Sequence, residues 1–379
     1  MKIIFAPDKF KSCMTAPEVC AELERAFREV FPEAQLVSLP MADGGDGTME
    51  AMLAAAGGER KTVTVTGPLG TPVQASFAML SSGTAVLEMA SASGIALLKG
   101  QELDPLRATT RGTGELIKAA LDCSAKEIIL GIGGSATTDG GAGMAQALGF
   151  RLLDAAGRDL EPGGGALDKL ASIDVSQADP RLPHVTFRVA CDVTNPLLGP
   201  RGAARVFAPQ KGASPACVEL LERNLTHLAD VWKETGLLAS TDRPGDGAAG
   251  GLGAGLRAFC HAESESGAQL VMKTLGFSAH LKGASLVVTG EGRTDSQTES
   301  GKICSEIARE AHAHGVPVML LSGALENAGA GLDALFDFVF SISPGRTSLD
   351  DALKNGRHDL YECARNIARL ARRAKDIFK

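Results

Sequence analysis

With 379 residues, 45 glycines, 14 Phe and a single Trp and Tyr, the chain is too long for one ordinary hydrophobic core or a small disulfide-stapled module, and aromatic stacking surfaces must be rare. Lys+Arg 38 against Asp+Glu 45 leaves a formal charge of −7, which repels polyanions and argues against DNA or RNA as a general partner. The eight cysteines are scattered without a Cys-x-x-Cys pair, so zinc and redox motifs are not expected. Met1-Lys2-Ile3-Ile4-Phe5-Ala6-Pro7-Asp8 reaches a proline and an acid before a signal-peptide core could form, and no apolar run approaches the ~18 residues of a membrane span. No membrane partner is expected, and the cytoplasm is the expected compartment.

In chain order, Lys2 to Ala6 is a short apolar run stopped by Pro7-Asp8, and Thr15 to Phe31 carries Val19, Leu23, Ala26, Phe27 and Val30 at the spacing of one helix face. Leu36 to Leu39 and Thr48 to Ala56 repeat the pair, so two βα units open the chain. Past Gly57-Gly58 the period becomes two, and 62–66, Val73 to Leu80 and Thr84 to Met89 predict an antiparallel meander. The helical period returns at Arg111. Lys126 to Leu130 predicts a strand entering a long Gly/Ser/Thr loop, 184–191 a further strand, and 213–236 and 246–275 mainly helix. Ala284 to Thr289, Val316 to Ser322 and Phe338 to Ile342 are short apolar runs separated by helical segments, which resumes the βα alternation of the start. The expectation is an α/β protein of two α/β domains. Residues 1–58 plus 284–379 would form a doubly wound, flavodoxin-like parallel sheet from both chain ends, and residues 59–283 an inserted mixed α/β domain.

Open α/β sheets hold ligands at the carboxyl ends of their strands, and the glycine loops there carry the chemistry. Asp8-Lys9-Phe10-Lys11-Ser12 places two cations beside a helix start, either as an anion site or as a solvated loop. Asp43-Gly44-Gly45-Asp46-Gly47-Thr48 brings two carboxylates into a loop that glycine lets approach a ligand, though Asp46 or Thr48 could equally cap the next helix. The loop Gly131 to Gly141, through Gly133, Gly134, Ser135 and Thr137, has the letters of a dinucleotide fingerprint. Glycine and threonine continue where its helix should begin, which disfavours a nicotinamide site. Asp192-Val193-Thr194-Asn195 ends a strand with a carboxylate suited to a general base or metal ligand, or else with an Asx-turn. Lys211 in Pro209-Gln210-Lys211-Gly212 is a further loop cation or a solvated lysine. Gly250 and Gly251 lead into a helix whose free N–H groups would face a phosphate, or they serve close packing. Thr289-Gly290-Glu291-Gly292-Arg293-Thr294-Asp295 continues to Gly301-Lys302 and is no Walker A motif, because Ile303 stands where Ser or Thr is needed.

Such loops, without a nucleophile elbow or thiol dyad, fit phosphoryl transfer, where positioning and charge neutralisation carry most of the catalysis. Lys11, Arg293 and Lys302 would neutralise nucleotide phosphates and a substrate carboxylate. Asp192 would take the proton of the acceptor hydroxyl, and Asp43 and Asp295 suit Mg²⁺ better.

Ala6-Pro7-Asp8…Phe10-Lys11, Pro40-Met41-Ala42-Asp43-Gly44-Gly45-x-Gly47-Thr48, Gly133-Gly134-Ser135-Ala136-Thr137-x-Asp139-Gly140-Gly141, Asp192-Val193-x-Asn195-Pro196-Leu197, Pro209-Gln210-Lys211-Gly212 and Thr289-Gly290-Glu291-Gly292-x-x-Asp295 together resemble the type-1 bacterial glycerate kinase family. The resemblance runs in order from Ala6 to at least Lys302. It implies an ATP-dependent, Mg²⁺-requiring kinase of D-glycerate, with the 2-phosphate as the usual product, in glyoxylate, glycerate or sugar-acid breakdown. It also implies two α/β domains with the site in their cleft. A glycerate 3-kinase or a kinase of a related small hydroxy acid is the alternative. A non-catalytic hydroxy-acid sensor and an NAD-dependent hydroxy-acid dehydrogenase are the readings from other classes, and a homo-oligomer stays open.

Overall fold

The computed structural model describes residues 1–100, 103–295, 302–326, 330–345 and 347–377. Its strands are β1 (Lys2–Phe5), β2 (Gln35–Ser38), β3 (Gly58–Thr66), β4 (Pro72–Leu80), β5 (Thr84–Glu88), β6 (Glu127–Gly131), β7 (Arg151–Leu153), β8 (Ser172–Asp174), β9 (Thr186–Ala190), β10 (Glu263–Glu265), β11 (Leu286–Glu291), β12 (Val318–Ser322) and β13 (Phe338–Ser341). The chain divides into two units: Met1–Asp43, Glu50–Gly57 and Ala268–Lys379 form the first, Gly44–Met49 and Gly58–Gly267 the second.

In the first unit the sheet order is β13-β12-β11-β1-β2 and every pairing is parallel. Counted within the unit, this is the flavodoxin-like order, whose winding direction switches between β1 and β11. The apolar runs that predicted these strands are buried: Ile3, Phe5, Val288 and Leu321 share one core with Val19, Leu23 and Phe27 of the helix Ala16–Val30 and with Leu360, Ala364 and Ala368 of the helix Leu349–Ile377. Thr15 and Glu18 close a reciprocal capping box at the start of Ala16–Val30, which fixes where that helix begins.

The second unit has a mixed sheet in the order β10-β9-β6-β5-β4-β3. β3, β4 and β5 form the antiparallel meander, and β5, β6, β9 and β10 run parallel. Its core gathers Phe77, Leu87, Ile128, Leu130 and Val189 from the sheet and Leu225, Leu228 and Trp232 from the helix Pro215–Glu234. Residues 246–275 are mainly helical as read, but two features were not foreseen: Glu263–Glu265 interrupts that stretch and pairs with β9 as β10, and β7 and β8 form a separate short hairpin. The polar β10 and the three-residue hairpin strands carry too little alternation to announce themselves. Among the described residues no helix is long and apolar enough to cross a membrane.

Candidate active site

At the switch point of the first unit, β1 runs out into Asp8 and β11 into Glu291. The Asp8 N–H donates to the Gly290 carbonyl at 2.8 Å, holding the two strand ends side by side. The half-buried Asp8 carboxylate accepts from the Lys9 N–H at 2.7 Å. Burial, reinforced by the negative charge of Asp43 and to a smaller degree of Glu291, nevertheless raises its pKa to about 7. Glu291 is 6% exposed and accepts from Thr294 Oγ1 at 2.9 Å. Lys302 Nζ stands between two carboxylates, 3.3 Å from Asp295 and 3.8 Å from Glu291. Asp43, Lys11 and Ser12 are exposed and Lys9 is half-buried, while Gly290 is buried in the strand end. Arg293 is largely exposed and donates to Glu326 at 2.5 Å, with its Nε 3.8 Å from Asp295. Gly301, which the sequence reading joined to Lys302, lies outside the described residues. Among the described residues no three His, Cys, Asp or Glu side chains are placed to hold a metal ion on their own.

In the second unit, Glu88, Gly131, Ala190 and Glu265 stand in register at the carboxyl ends of four neighbouring parallel strands. The segment Gly44–Met49 lies against these ends. Gly44 has φ +87°, and a Cβ there would stand 2.6 Å from the Ala190 Cβ and 2.8 Å from the Gly267 Cα, so only glycine fits. Glu88 accepts the Met49 N–H at 2.9 Å, placing a carboxylate on the first turn of the helix Thr48–Ala56. Gly45 accepts from Thr48 Oγ1 at 2.7 Å.

Beyond β6, Gly133 and Gly134 are exposed while Ser135 and Thr137 are buried. Lys211 is no solvated lysine: it is 2% exposed, and its Nζ donates to Ser135 Oγ at 2.7 Å and to the Thr137 carbonyl at 2.6 Å. Burial lowers its pKa to about 7 against the opposing pull of Asp139. Asp139, fully buried, accepts from the Thr110 N–H at 2.8 Å, Thr110 Oγ1 at 2.9 Å, and the Gly141 and Gly143 N–H groups, each at 3.2 Å. Burial raises its pKa and those donors restrain the rise.

Asp192 is exposed at the end of β9, with Oδ1 accepting from the Gly267 N–H at 3.1 Å. The Asn195 side chain donates to the Arg201 carbonyl at 2.8 Å, so its amide shapes its own loop. Gly250 and Gly251 are buried and left-handed, and a Cβ on Gly250 would stand 2.0 Å from the Thr137 carbonyl oxygen. They pack the chain against the loop after β6. Regular helix begins directly beyond them, so they lead into a helix as the sequence suggests, and the close packing weighed beside that reading is present.

Sequence reading did not single out Glu88, Thr110 or the buried clamp of Asp139. Glu88 follows the apolar run Thr84–Leu87, the same signal that drew attention to Asp192. Thr110 and Asp139 are 29 positions apart, and no local pattern couples them. The two sets of groups supply hydrogen-bond donors for an anion and, in Asp8, a carboxylate whose pKa is raised to about 7.

A model of the Glycerate kinase family matches residues 3–372. The chain is 49% identical over 374 residues to the glycerate 2-kinase of Escherichia coli strain K12, covering 97% of each chain. It is 48% identical over 382 residues to the glycerate kinase of Bacillus subtilis strain 168, covering 100% of each. A crystal structure described as glycerate kinase 2 from Salmonella typhimurium LT2 superposes with a TM-score of 0.92 at 46% identity, covering 99% of each chain.

Proposed function

Because the chain belongs to the glycerate kinase family, we propose that it transfers the γ-phosphoryl group of ATP to the 2-hydroxyl of D-glycerate, in cytoplasmic glyoxylate, glycerate or sugar-acid breakdown. The observation that carries the reading is the gathering, at the carboxyl ends of parallel strands within each unit, of carboxylates, lysines and a glycine loop in a member of this family. Phosphoryl transfer asks the protein mainly to orient its substrates and neutralise charge.

Asp192 is the proposed general base. Its carboxylate sits at a rigid strand end, and the Gly267 N–H steadies one oxygen while the acceptor hydroxyl gives its proton to the carboxylate. Lys11, Lys302 and Arg293 are the proposed counter-charges for phosphate and substrate carboxylate, with Gly133, Gly134 and Ser135 as phosphate contacts. Lys302 and Arg293 would exchange Asp295 and Glu326 for the ligand. The hard oxygen donors Asp43 and Asp295 suit Mg²⁺, which favours one or two carboxylates plus phosphate oxygens over an all-protein cage, and when bound it would neutralise phosphate charge.

The test is turnover of ATP with D-glycerate and Mg²⁺, with the product identified by phosphorus NMR. Formation of 2-phosphoglycerate, abolished by EDTA, is expected. 3-Phosphoglycerate would move the reaction to the other hydroxyl, and equal turnover in EDTA would remove the metal from the reading. Ligand-induced stabilisation without turnover would favour a sensor.

A further inference from the structure

We infer that Ser135 donates a hydrogen bond to an anionic oxygen of a bound substrate, and that Lys211, lying behind it, is a positioning residue that fixes the direction in which the serine donates. Lys211 as an ammonium can only donate. Its bond to Ser135 Oγ at 2.7 Å occupies the oxygen as an acceptor, so the serine keeps its own proton for another partner. Among the described residues, no protein acceptor takes that proton. Ser135 is 9% exposed and follows directly on the exposed Gly133 and Gly134, so the position left for an acceptor is at the edge of that loop. A hydroxyl that accepts from a charged donor is itself a stronger donor. Two further hydroxyls on the same loop, Thr137 Oγ1 and Thr138 Oγ1, are buried with no protein partner, so the loop is not fully satisfied by its own structure.

If Lys211 loses its proton the bias is lost: the neutral amine keeps two N–H groups but gains a lone pair, so the serine hydroxyl can turn inward to it and is no longer held as an outward donor. Asp139 is the charged group acting on Lys211, and its four donors hold it in place. On the neighbouring helix Ala203–Phe207, Arg205 is paired with Glu219 at the surface. Leu103 lies against Gly212, and the Asp104 that follows it is engaged by the Leu106 and Arg107 N–H groups. With Lys211 titrating near 7, the outward donor is present at lower pH and withdrawn as pH rises. A bound anion favours the charged amine and moves that withdrawal to higher pH.

The inference rests on the proposed reaction for its kinetic assay. The anionic oxygen belongs either to a nucleotide phosphate or to the carboxylate of the hydroxy acid, and the two KM values distinguish them. Ser135→Ala, Lys211→Met and the double variant are compared with wild type from pH 6 to 9, with melting temperatures measured alongside. Ser135→Ala is expected to raise the KM for ATP or for D-glycerate at least tenfold at pH 6.5 and to abolish the fall of kcat/KM on the alkaline side. Lys211→Met should match it, and the double variant should be no worse than either single one, because one residue acts through the other. Wild-type constants in Ser135→Ala, an alkaline limb that survives in it, or losses that multiply in the double variant would overturn the inference. If Lys211→Met fails to fold, Ser135→Ala and its pH profile decide. If wild type turns over no hydroxy acid, the proposed reaction fails, and thermal stabilisation by ATP or D-glycerate decides instead: loss in Ser135→Ala supports the inference, and retention overturns it.

Discussion

Asp8 is charged in the unfolded chain above the ordinary aspartate range near 4, but in the fold only above about 7. Between those limits folding takes up a proton, so stability falls as pH rises. Asp8→Asn removes the charge and keeps the shape. It is expected to stabilise the protein by about 1–2 kcal/mol at pH 8, with a gain in melting temperature that shrinks as pH is lowered toward 4. Equal gains at pH 8 and pH 5 would show that the charge of Asp8 is not the source. For Asp192→Asn, the remaining side-chain oxygen can still accept the Gly267 N–H while basicity is lost. Turnover should fall roughly 10²-fold with little change in the KM for D-glycerate. A variant that keeps most of its turnover at saturating Mg²⁺ would pass the role to Asp43 or Asp295.

Among the elements, the segment Gly44–Met49 shows how closely backbone can approach backbone where glycine stands on both sides. A Cβ on Gly131 would stand 2.5 Å from the Gly44 carbonyl oxygen, and one on Gly44 would strike Ala190 and Gly267, so β6, β9 and the loop approach as only glycine permits. Gly44→Ala adds both left-handed strain and a steric clash and is expected to cost about 3 kcal/mol, read as a drop of several degrees in melting temperature. Melting with wild type would show that the loop relaxes freely. The same elements mark what was legible in the sequence. Ile3–Phe5, Leu286–Val288 and Val318–Leu321 read as strands because burial on both faces demands continuous apolar residues. Asp8, Asp43, Glu291 and Asp295 read as strand-end acids because polar groups interrupt such runs abruptly. Lys211 read as a loop cation, yet its burial against Ser135 depends on a contact across 76 positions. The role of Gly250 depends in the same way on the carbonyl of Thr137. Local pattern carries the elements, and the hydrogen bonds between distant loops decide what each charged group does.

At the scale of the whole molecule, the doubly wound sheet was legible because both chain ends carry the same βα alternation, and the side-chain contacts confirm how far apart its partners lie. Thr289 Oγ1 donates to the Ala6 carbonyl across 283 positions, and β1 pairs directly with β11. Synthesis therefore delivers the first unit in two instalments. At about 5–20 residues per second, Met1–Asp43 waits on the order of 10–50 s for Ala268 and beyond to emerge, with Ile3, Phe5, Val19, Leu23 and Phe27 unprotected. All six strands of the mixed sheet are complete by then. Nascent chains arrested once Gly267 has cleared the ribosome should therefore resist protease over Gly58–Gly267 while Met1–Asp43 is digested. Equal protection of both segments would show that the leading strand finds shelter before its partner exists. On this ordering the N-terminal apolar stretch is the part of the newborn chain that a holding chaperone would have to cover, and β11 is the strand whose arrival releases it.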